Sequence, residues 1–227
     1  MRTILCYGDS NTWGYDPRGG ERFDRKSRWP MVLQELLNKE AGEEWLVVEE
    51  GLSGRTSCRE DPIEGDRNGL RQLLPILESH APIDIVAVML GTNDLKLRFN
   101  PQAFDIAAGA QHVAMAAMAS QTGPGKSSPK ALIICPPPVV ESPVFAHIFG
   151  DCVELSKKLP PLYRQLAGEC GAAFLDAGLF IKTSPVDGIH FEIEEHRKLA
   201  AAIAGKIRQL FIACPRHFGK TREAGAV

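Results

Sequence analysis

Three side chains, one near the start of the chain and two near its end, have the types and spacing of an acyl-transfer site. Ser10 follows Gly8-Asp9, and Asp187 and His190 stand three positions apart in Asp187-Gly188-Ile189-His190. A serine hydroxyl is a poor nucleophile until a base takes its proton. An imidazole is such a base when a carboxylate holds its Nδ1–H and its Nε2 faces the serine. Each residue also has a plainer role open to it. Serine and aspartate after a strand often form a cap or turn, and Asp187 before glycine reads as a turn residue. A single histidine reads as a surface or capping residue, which is the expectation for His80, His112, His147, His196 and His217. His190 differs because it follows the last predicted strand, precedes the last predicted helix and carries its own local carboxylate.

That chemistry needs Ser10 and His190 at one edge of a scaffold, and the periodicity supplies such an edge. Residues 3–7 form a short, β-branched apolar run that reads as a strand buried on both faces. Gly8 ends it and permits a sharp turn. Residues 46–50, 83–90, 131–135 and 172–176 read as four more strands, and Pro136-Pro137-Pro138 forbids continuation of the fourth. Helices are expected over 29–40, 70–80, 101–120, 151–169 and 192–211. The helix over 151–169 is expected to be capped by Asp151 and kinked or interrupted at Pro160-Pro161. Strands alternating with helices imply a parallel sheet covered on both faces. With right-handed crossovers, the expected fold is α/β, a flavodoxin-like three-layer α/β/α sandwich with a five-stranded sheet in the order 2-1-3-4-5. Ligands bind at the carboxyl edge of such sheets. The long irregular segments 14–26, 51–67 and 141–150 follow strands one, two and four and should gather there.

Four segments, Gly8-Asp9-Ser10, Ser53-Gly54, Gly91-Thr92-Asn93-Asp94 and Asp187-Gly188-Ile189-His190, resemble the sequence blocks of the SGNH (GDSL) hydrolase superfamily, in that family's order. The resemblance spans about residues 2–212. The longer strings Gly8-Asp9-Ser10-Asn11-Thr12-Trp13-Gly14 and Glu50-Gly51-Leu52-Ser53-Gly54-Arg55-Thr56 are similar to its bacterial arylesterase/perhydrolase branch. The resemblance implies the SGNH hydrolase fold and a serine esterase of short-chain and aryl esters. Catalysis would pass through an acyl-enzyme on Ser10, with acyl transfer to alcohols or hydrogen peroxide as a further outcome. It also implies an oxyanion hole made by the Ser10 N–H, the Gly54 N–H and the Asn93 side-chain amide, and assembly as a closed homo-oligomer, often an octamer. Position 11 is Asn where Leu is familiar in that branch, and position 54 is Gly where Ala is. Both departures bear on acyl and alcohol preference. Asn11, Trp13, Ser53, Pro137 and Pro138 are the expected lining of the substrate pocket, with core packing the alternative for Trp13. Asp94 reads as a structural anchor for its loop.

Composition narrows the partners. A chain of 227 residues, 44% of them hydrophobic, can bury the core of one α/β domain. That domain is expected over 1–213, with a polar tail over 214–227. A formal net charge of −2 gives no support to a nucleic-acid partner. No apolar run approaches the roughly 20 residues of a membrane helix, so no membrane partner is expected. The sequence opens directly on a strand, so no signal peptide is expected. Six cysteines without a Cys-x-x-Cys pair read as reduced thiols of a cytoplasmic protein, with no metal site. No cofactor or metal is required by the parts named above.

Two other functions fit the same residues. One is a carbohydrate acetylesterase using the same site; the other is a non-catalytic flavodoxin-like binding module. Phosphate-binding chains of this architecture usually open a helix with a Gly-rich loop, and Gly8-Asp9-Ser10-Asn11 is too short and acidic for that. The irregular segments also carry apolar residues that read as exposed, namely Tyr15, Phe23, Ile63, Val144, Phe145, Ile148 and Phe149. Neighbouring subunits covering them would narrow the entrance; loops folded over one another would be the alternative.

Overall fold

The computed structural model describes residues 1–39 and 44–212. Glu40, Cys214, His217 and the expected tail lie outside the described residues. Five strands, β1 (Arg2–Gly8), β2 (Trp45–Gly51), β3 (Ile85–Met89), β4 (Lys130–Cys135) and β5 (Ala173–Asp176), form one sheet in the order β2-β1-β3-β4-β5. Every pairing is parallel. Eight α-helical segments are described: α1 (Ser10–Trp13), α2 (Trp29–Asn38), α3 (Gly69–Ser79), α4 (Ala103–Ala119), α5 (Ala146–Phe149), α6 (Val153–Ser156), α7 (Leu159–Cys170) and α8 (Ile193–Ile212).

Strand side chains alternate between the two faces, and both faces are packed. Ile4, Cys6, Ile85, Ala87, Leu132 and Ile134 meet Trp29, Leu33 and Leu37 of α2 and Leu199, Ile203 and Ile207 of α8. On the other face, Leu5, Tyr7, Val86 and Val88 meet Leu73 and Leu77 of α3 and Val113 and Ala117 of α4. Ala131, Ile133 and Cys135 meet Ala110 and Ala114 of α4 and Tyr163 and Leu166 of α7. The continuous apolar runs of β1 and β3 follow from this burial on both sides.

The helix expected over 151–169, kinked or interrupted at Pro160-Pro161, is two helices, and the break falls before the prolines. Pro160 and Pro161 fall in the first turn of α7, where the missing N–H costs nothing, so they start a helix. Asp151 caps nothing; Cys152 stands at the N-cap of α6, and no side-chain hydrogen bond is made there. The third strand is shorter than residues 83–90. Ile83 leaves the ladder to donate its N–H to the Thr122 carbonyl.

The irregular segments do fold over one another in part. Phe23 and Phe149 are buried within this chain, whereas Ile63 and Val144 are exposed. His196 is no surface residue. It is fully buried on α8 between the rings of Phe23 and Phe191, and its Nδ1 accepts the Trp29 N–H at 3.4 Å. Burial, with the charges of His190 and Arg28 adding to it, pushes its pKa down to about 3.

Candidate active site

Four loops at the carboxyl edge build the site. β1 ends in Gly8, where a Cβ would collide with Thr12 Oγ1 and would lie 2.9 Å from the Met89 carbonyl. Only glycine lets β1 turn this tightly against β3. Asp9 then caps α1, its Oδ1 accepting the Asn11 N–H at 2.9 Å. This places Ser10 at the first position of a one-turn helix, buried, at the head of β1 and beside the central strand β3.

The segment after β5 carries Asp187 and His190. Asp187 Oδ1 accepts the N–H groups of Ile189 (3.0 Å) and His190 (2.9 Å), which leaves Oδ2 aimed at His190 Nδ1, 2.6 Å away. On the far side of the ring, Nε2 lies 2.8 Å from Ser10 Oγ. Gly188 has φ +82°, and a Cβ there would strike the Val140 carbonyl; in return Val140 donates its N–H to the Gly188 carbonyl at 3.0 Å. The chain after β4 thus fixes this turn. Asn11 Nδ2 donates to the Ile189 carbonyl at 3.2 Å, which ties the two halves of the site across 178 positions of sequence.

The electrostatics suit a base that must gain a proton. Burial opposes ionisation of Asp187, but its bonds to His190 and to two backbone N–H groups outweigh this and hold its pKa below the ordinary value. An ionised Asp187 favours the Nδ1–H tautomer, leaving Nε2 free to accept from Ser10. Asp9 behaves in the opposite way. Burial raises its pKa to about 6, and the Asn11 N–H and His190 offset this only in part. Because the folded pKa exceeds the unfolded one, the ionised Asp9 opposes folding fully above about pH 6, and the penalty disappears as pH falls toward 4. The penalty is on the order of 3 kcal/mol. Asp9→Asn, which keeps an oxygen acceptor for the cap, should therefore raise the free energy of urea unfolding at pH 8. Its advantage should shrink steadily at lower pH; an equal advantage at pH 4.5 and pH 8 would contradict the assignment.

Two further loops bring polar groups. After β3, Gly91 (φ +125°) makes room for the Tyr163 hydroxyl, which donates to the Leu90 carbonyl at 2.8 Å. The 3-10 turn Asn93–Leu95 follows. Asn93 is buried, and its Nδ2 has no hydrogen-bond partner among the described residues. A buried amide with an unspent donor is costly unless something else receives it. Asp94 ties this loop to the one after β2, with Oδ2 accepting the Ser57 N–H (2.9 Å) and Oδ1 the Ser57 hydroxyl (2.6 Å). Gly54 lies in that second loop with φ +83°, and a Cβ there would collide with Glu64 Oε2 and lie 3.1 Å from Arg67 Nε. Glycine at 54, where alanine is familiar, thus makes room for Glu64, whose Oε1 is held by Lys96 (2.5 Å) and Arg98 (2.9 Å). Arg55 fastens the loop to β1 by donating to the Gly8 carbonyl at 2.8 Å.

The expected pocket residues separate into groups. Asn11 is buried and bonded to Ile189, so it joins loops. Trp13 is half-buried, with its ring 6.5 Å from that of Tyr15 and the Arg22 guanidinium 5.2 Å from its centre. Ser53 is half-buried beside Gly54. Pro137 and Pro138 pack against Gly178 in the turn after β5, and the Pro138 carbonyl accepts from Thr183 Oγ1 at 3.2 Å. Sequence reasoning missed the surroundings of His190: Tyr15 stacks on its ring with centroids 4.0 Å apart, and Phe145 meets it edge-on at 5.9 Å. The available signal was an aromatic residue directly after the Gly14 that ends α1.

A buried carboxylate–imidazole–hydroxyl chain thus lies at the carboxyl edge of a doubly wound, flavodoxin-like sheet, the edge where such sheets bind ligands. The family model described as GDSL-like Lipase/Acylhydrolase family matches residues 6–198, and the chain belongs to that family, within the SGNH hydrolases. It is a carboxylic ester hydrolase of this group. No curated protein matches the chain in sequence. Among solved structures, it is similar to a carbohydrate acetylesterase family member from Sinorhizobium meliloti (39% identity, 92% of this chain and 99% of that one, TM-score 0.86). It is similar to Est24, a carbohydrate acetylesterase from the same organism (36%, 93% and 100%, TM-score 0.87). It is also similar to the aryl esterase of M. smegmatis (38%, 92% and 100%, TM-score 0.86).

Proposed function

We propose that the chain hydrolyses short-chain and aryl carboxylic esters through an acyl-enzyme on Ser10. The observation that carries this reading is the continuous hydrogen-bonded path from Asp187 through His190 to Ser10 Oγ. In this reading His190 removes the hydroxyl proton as Oγ attacks the ester carbonyl, then returns that proton to the leaving alcohol. Water attacks the acyl-enzyme by the reverse route. The oxyanion is received by the N–H groups of Ser10 and Gly54 and by the unspent Nδ2 of Asn93. A fluorophosphonate tests the reading directly: Ser10 should be the labelled residue, whereas a non-catalytic binding module has no activated serine to label.

Likeness to the two S. meliloti acetylesterases supports a second reading, deacetylation of carbohydrate esters at the same site. The kcat/KM values on aryl acetates and on acetylated sugars separate the two. Alcohols or hydrogen peroxide would compete with water for the acyl-enzyme, because Ser10 and His190 are almost wholly buried under Tyr15 and Phe145.

Assembly belongs to the same proposal. Ile63 and Leu97 remain 76% and 53% exposed and, with Glu64, Arg98, His147 and Ile148, line a groove of about 510 Å³ between the loops that follow β2, β3 and β4. Association of subunits over this rim, in a closed homo-oligomer such as an octamer, would cover it and restrict the entrance. The expected result is a mass by light scattering well above the 24.8 kDa of one chain, with kcat/KM falling along p-nitrophenyl esters from acetate to octanoate. A monomer that prefers octanoate would contradict both halves. Among the described residues no helix is long and apolar enough to cross a membrane, and Cys6, Cys58, Cys135, Cys152 and Cys170 are free thiols. The free thiols support a cytoplasmic enzyme.

A further inference from the structure

The segment between α1 and α2 is not a passive loop. Tyr15 and Arg22 form an antiparallel bridge, Asp16 accepts the Gly20 N–H at 2.9 Å, and the Tyr15 N–H donates to the Ser10 carbonyl at 3.0 Å. This small hairpin is bolted to the segment that carries the base. Arg18 pairs with Glu192 at 2.5 Å, Glu192 accepts the Ser184 hydroxyl at 2.8 Å, and Ser184 donates its N–H to the His190 carbonyl at 2.7 Å. The result is that the Tyr15 ring lies over the His190 ring, centroids 4.0 Å apart and planes 23° from parallel.

We infer that Tyr15 is a positioning residue for His190, and that the negative face of its ring stabilises the imidazolium formed when Ser10 gives up its proton. The inference rests on the proposed esterase reading. Three sides of the imidazole are then accounted for: Asp187 at Nδ1, Ser10 at Nε2 and Tyr15 on one face, with Phe145 closing in at its edge. An aromatic face attracts a cation within about 6 Å of its centre. The hydroxyl of Tyr15 is directed elsewhere, against Gly20, where a Cβ would lie only 2.9 Å from it. The charged and titratable groups around His190 are Asp187, Asp9 and His196, with the Arg18–Glu192 pair at the hairpin. Each is retained when Tyr15 alone is changed.

The test uses two side chains of nearly equal shape. Tyr15→Phe keeps the negative ring face and loses only the hydroxyl. Pentafluorophenylalanine introduced at position 15 keeps the packing but reverses the polarity of the face. The kcat/KM profile on p-nitrophenyl acetate is recorded from pH 5 to 9 for each. A base must be unprotonated to act, so destabilising the imidazolium moves the acid limb to lower pH. Relative to Tyr15→Phe, the fluorinated variant should show a limb lower by at least about 0.4 pH unit. Tyr15→Leu should lower the pH-independent kcat by up to about 10², because the imidazole loses the surface that fixes its plane. Coincident limbs for the two aromatic variants would overturn the electrostatic role, whatever Tyr15→Leu does. A profile without any acid limb in the unmodified protein would instead remove His190 as base, and the esterase mechanism with it.

Discussion

Ser10→Ala is expected to lower kcat on p-nitrophenyl acetate by about 10⁴- to 10⁶-fold while leaving the fold intact. The loss is large because, among the described residues, no other hydroxyl bonds to His190 Nε2, which lies 2.8 Å from Ser10 Oγ. The fold should survive because the structural work at this position is done by the backbone. The Ser10 carbonyl accepts the N–H groups of Gly14 (2.9 Å) and Tyr15 (3.0 Å), and alanine presents the same carbonyl. The helix cap comes from Asp9, not from Ser10. Residual activity is expected to come from the oxyanion donors alone, which still polarise a bound ester carbonyl. The measurement pairs steady-state kcat with a thermal melt and with fluorophosphonate labelling. A folded variant retaining a tenth of the wild-type kcat would refute Ser10 as nucleophile.

The parts of this site that could be read from the sequence are those whose signal is local. The strand run into Gly8, the carboxylate three positions before His190 and the glycines at 54 and 188 each leave a mark within a few residues. Alternating elements and crossover handedness leave few sheet orders open, and the one expected among them, which the resemblance also implies, is the order of the structure. What escaped depends on contacts between distant segments. Beyond its place directly after Gly14, nothing beside Tyr15 indicates that its ring will lie on His190, and the hairpin is joined to that segment across 174 positions of sequence by Arg18 and Glu192. His196 looks like any helical histidine until Phe23 and Phe191 are seen to enclose it. Pro137 and Pro138 sit directly after β4, and nothing beside them indicates that the Pro138 carbonyl will meet Thr183 of the segment after β5. Pro160-Pro161 is ambiguous in one dimension, because prolines that would break a helix interior also suit a helix start; the end of α6 decides between them.

The second large effect concerns His190 and Asp187 together. His190→Ala is expected to cost about as much as Ser10→Ala, and Asp187→Asn about 10⁴-fold or less, never more than His190→Ala. The difference lies in what each residue carries. His190 holds the proton between the two half-reactions, whereas Asp187 only chooses its tautomer and steadies its charge. Asparagine at 187 can still accept the Ile189 and His190 N–H groups through an oxygen, so the turn should keep its shape. It then presents an NH₂ to Nδ1 where a carboxylate oxygen stands at 2.6 Å. Two donors cannot face each other, so the imidazole shifts its proton to Nε2. In that tautomer Nε2 donates to Ser10 Oγ and cannot take the hydroxyl proton. The double variant His190→Ala with Asp187→Asn should be no slower than His190→Ala alone, within a factor of about 3, because an orienting carboxylate has nothing left to orient. Rates for both single variants and the double variant on p-nitrophenyl acetate decide the matter. Losses that multiply across the pair would show two residues acting independently and would dissolve the path from Asp187 to Ser10 on which the mechanism depends.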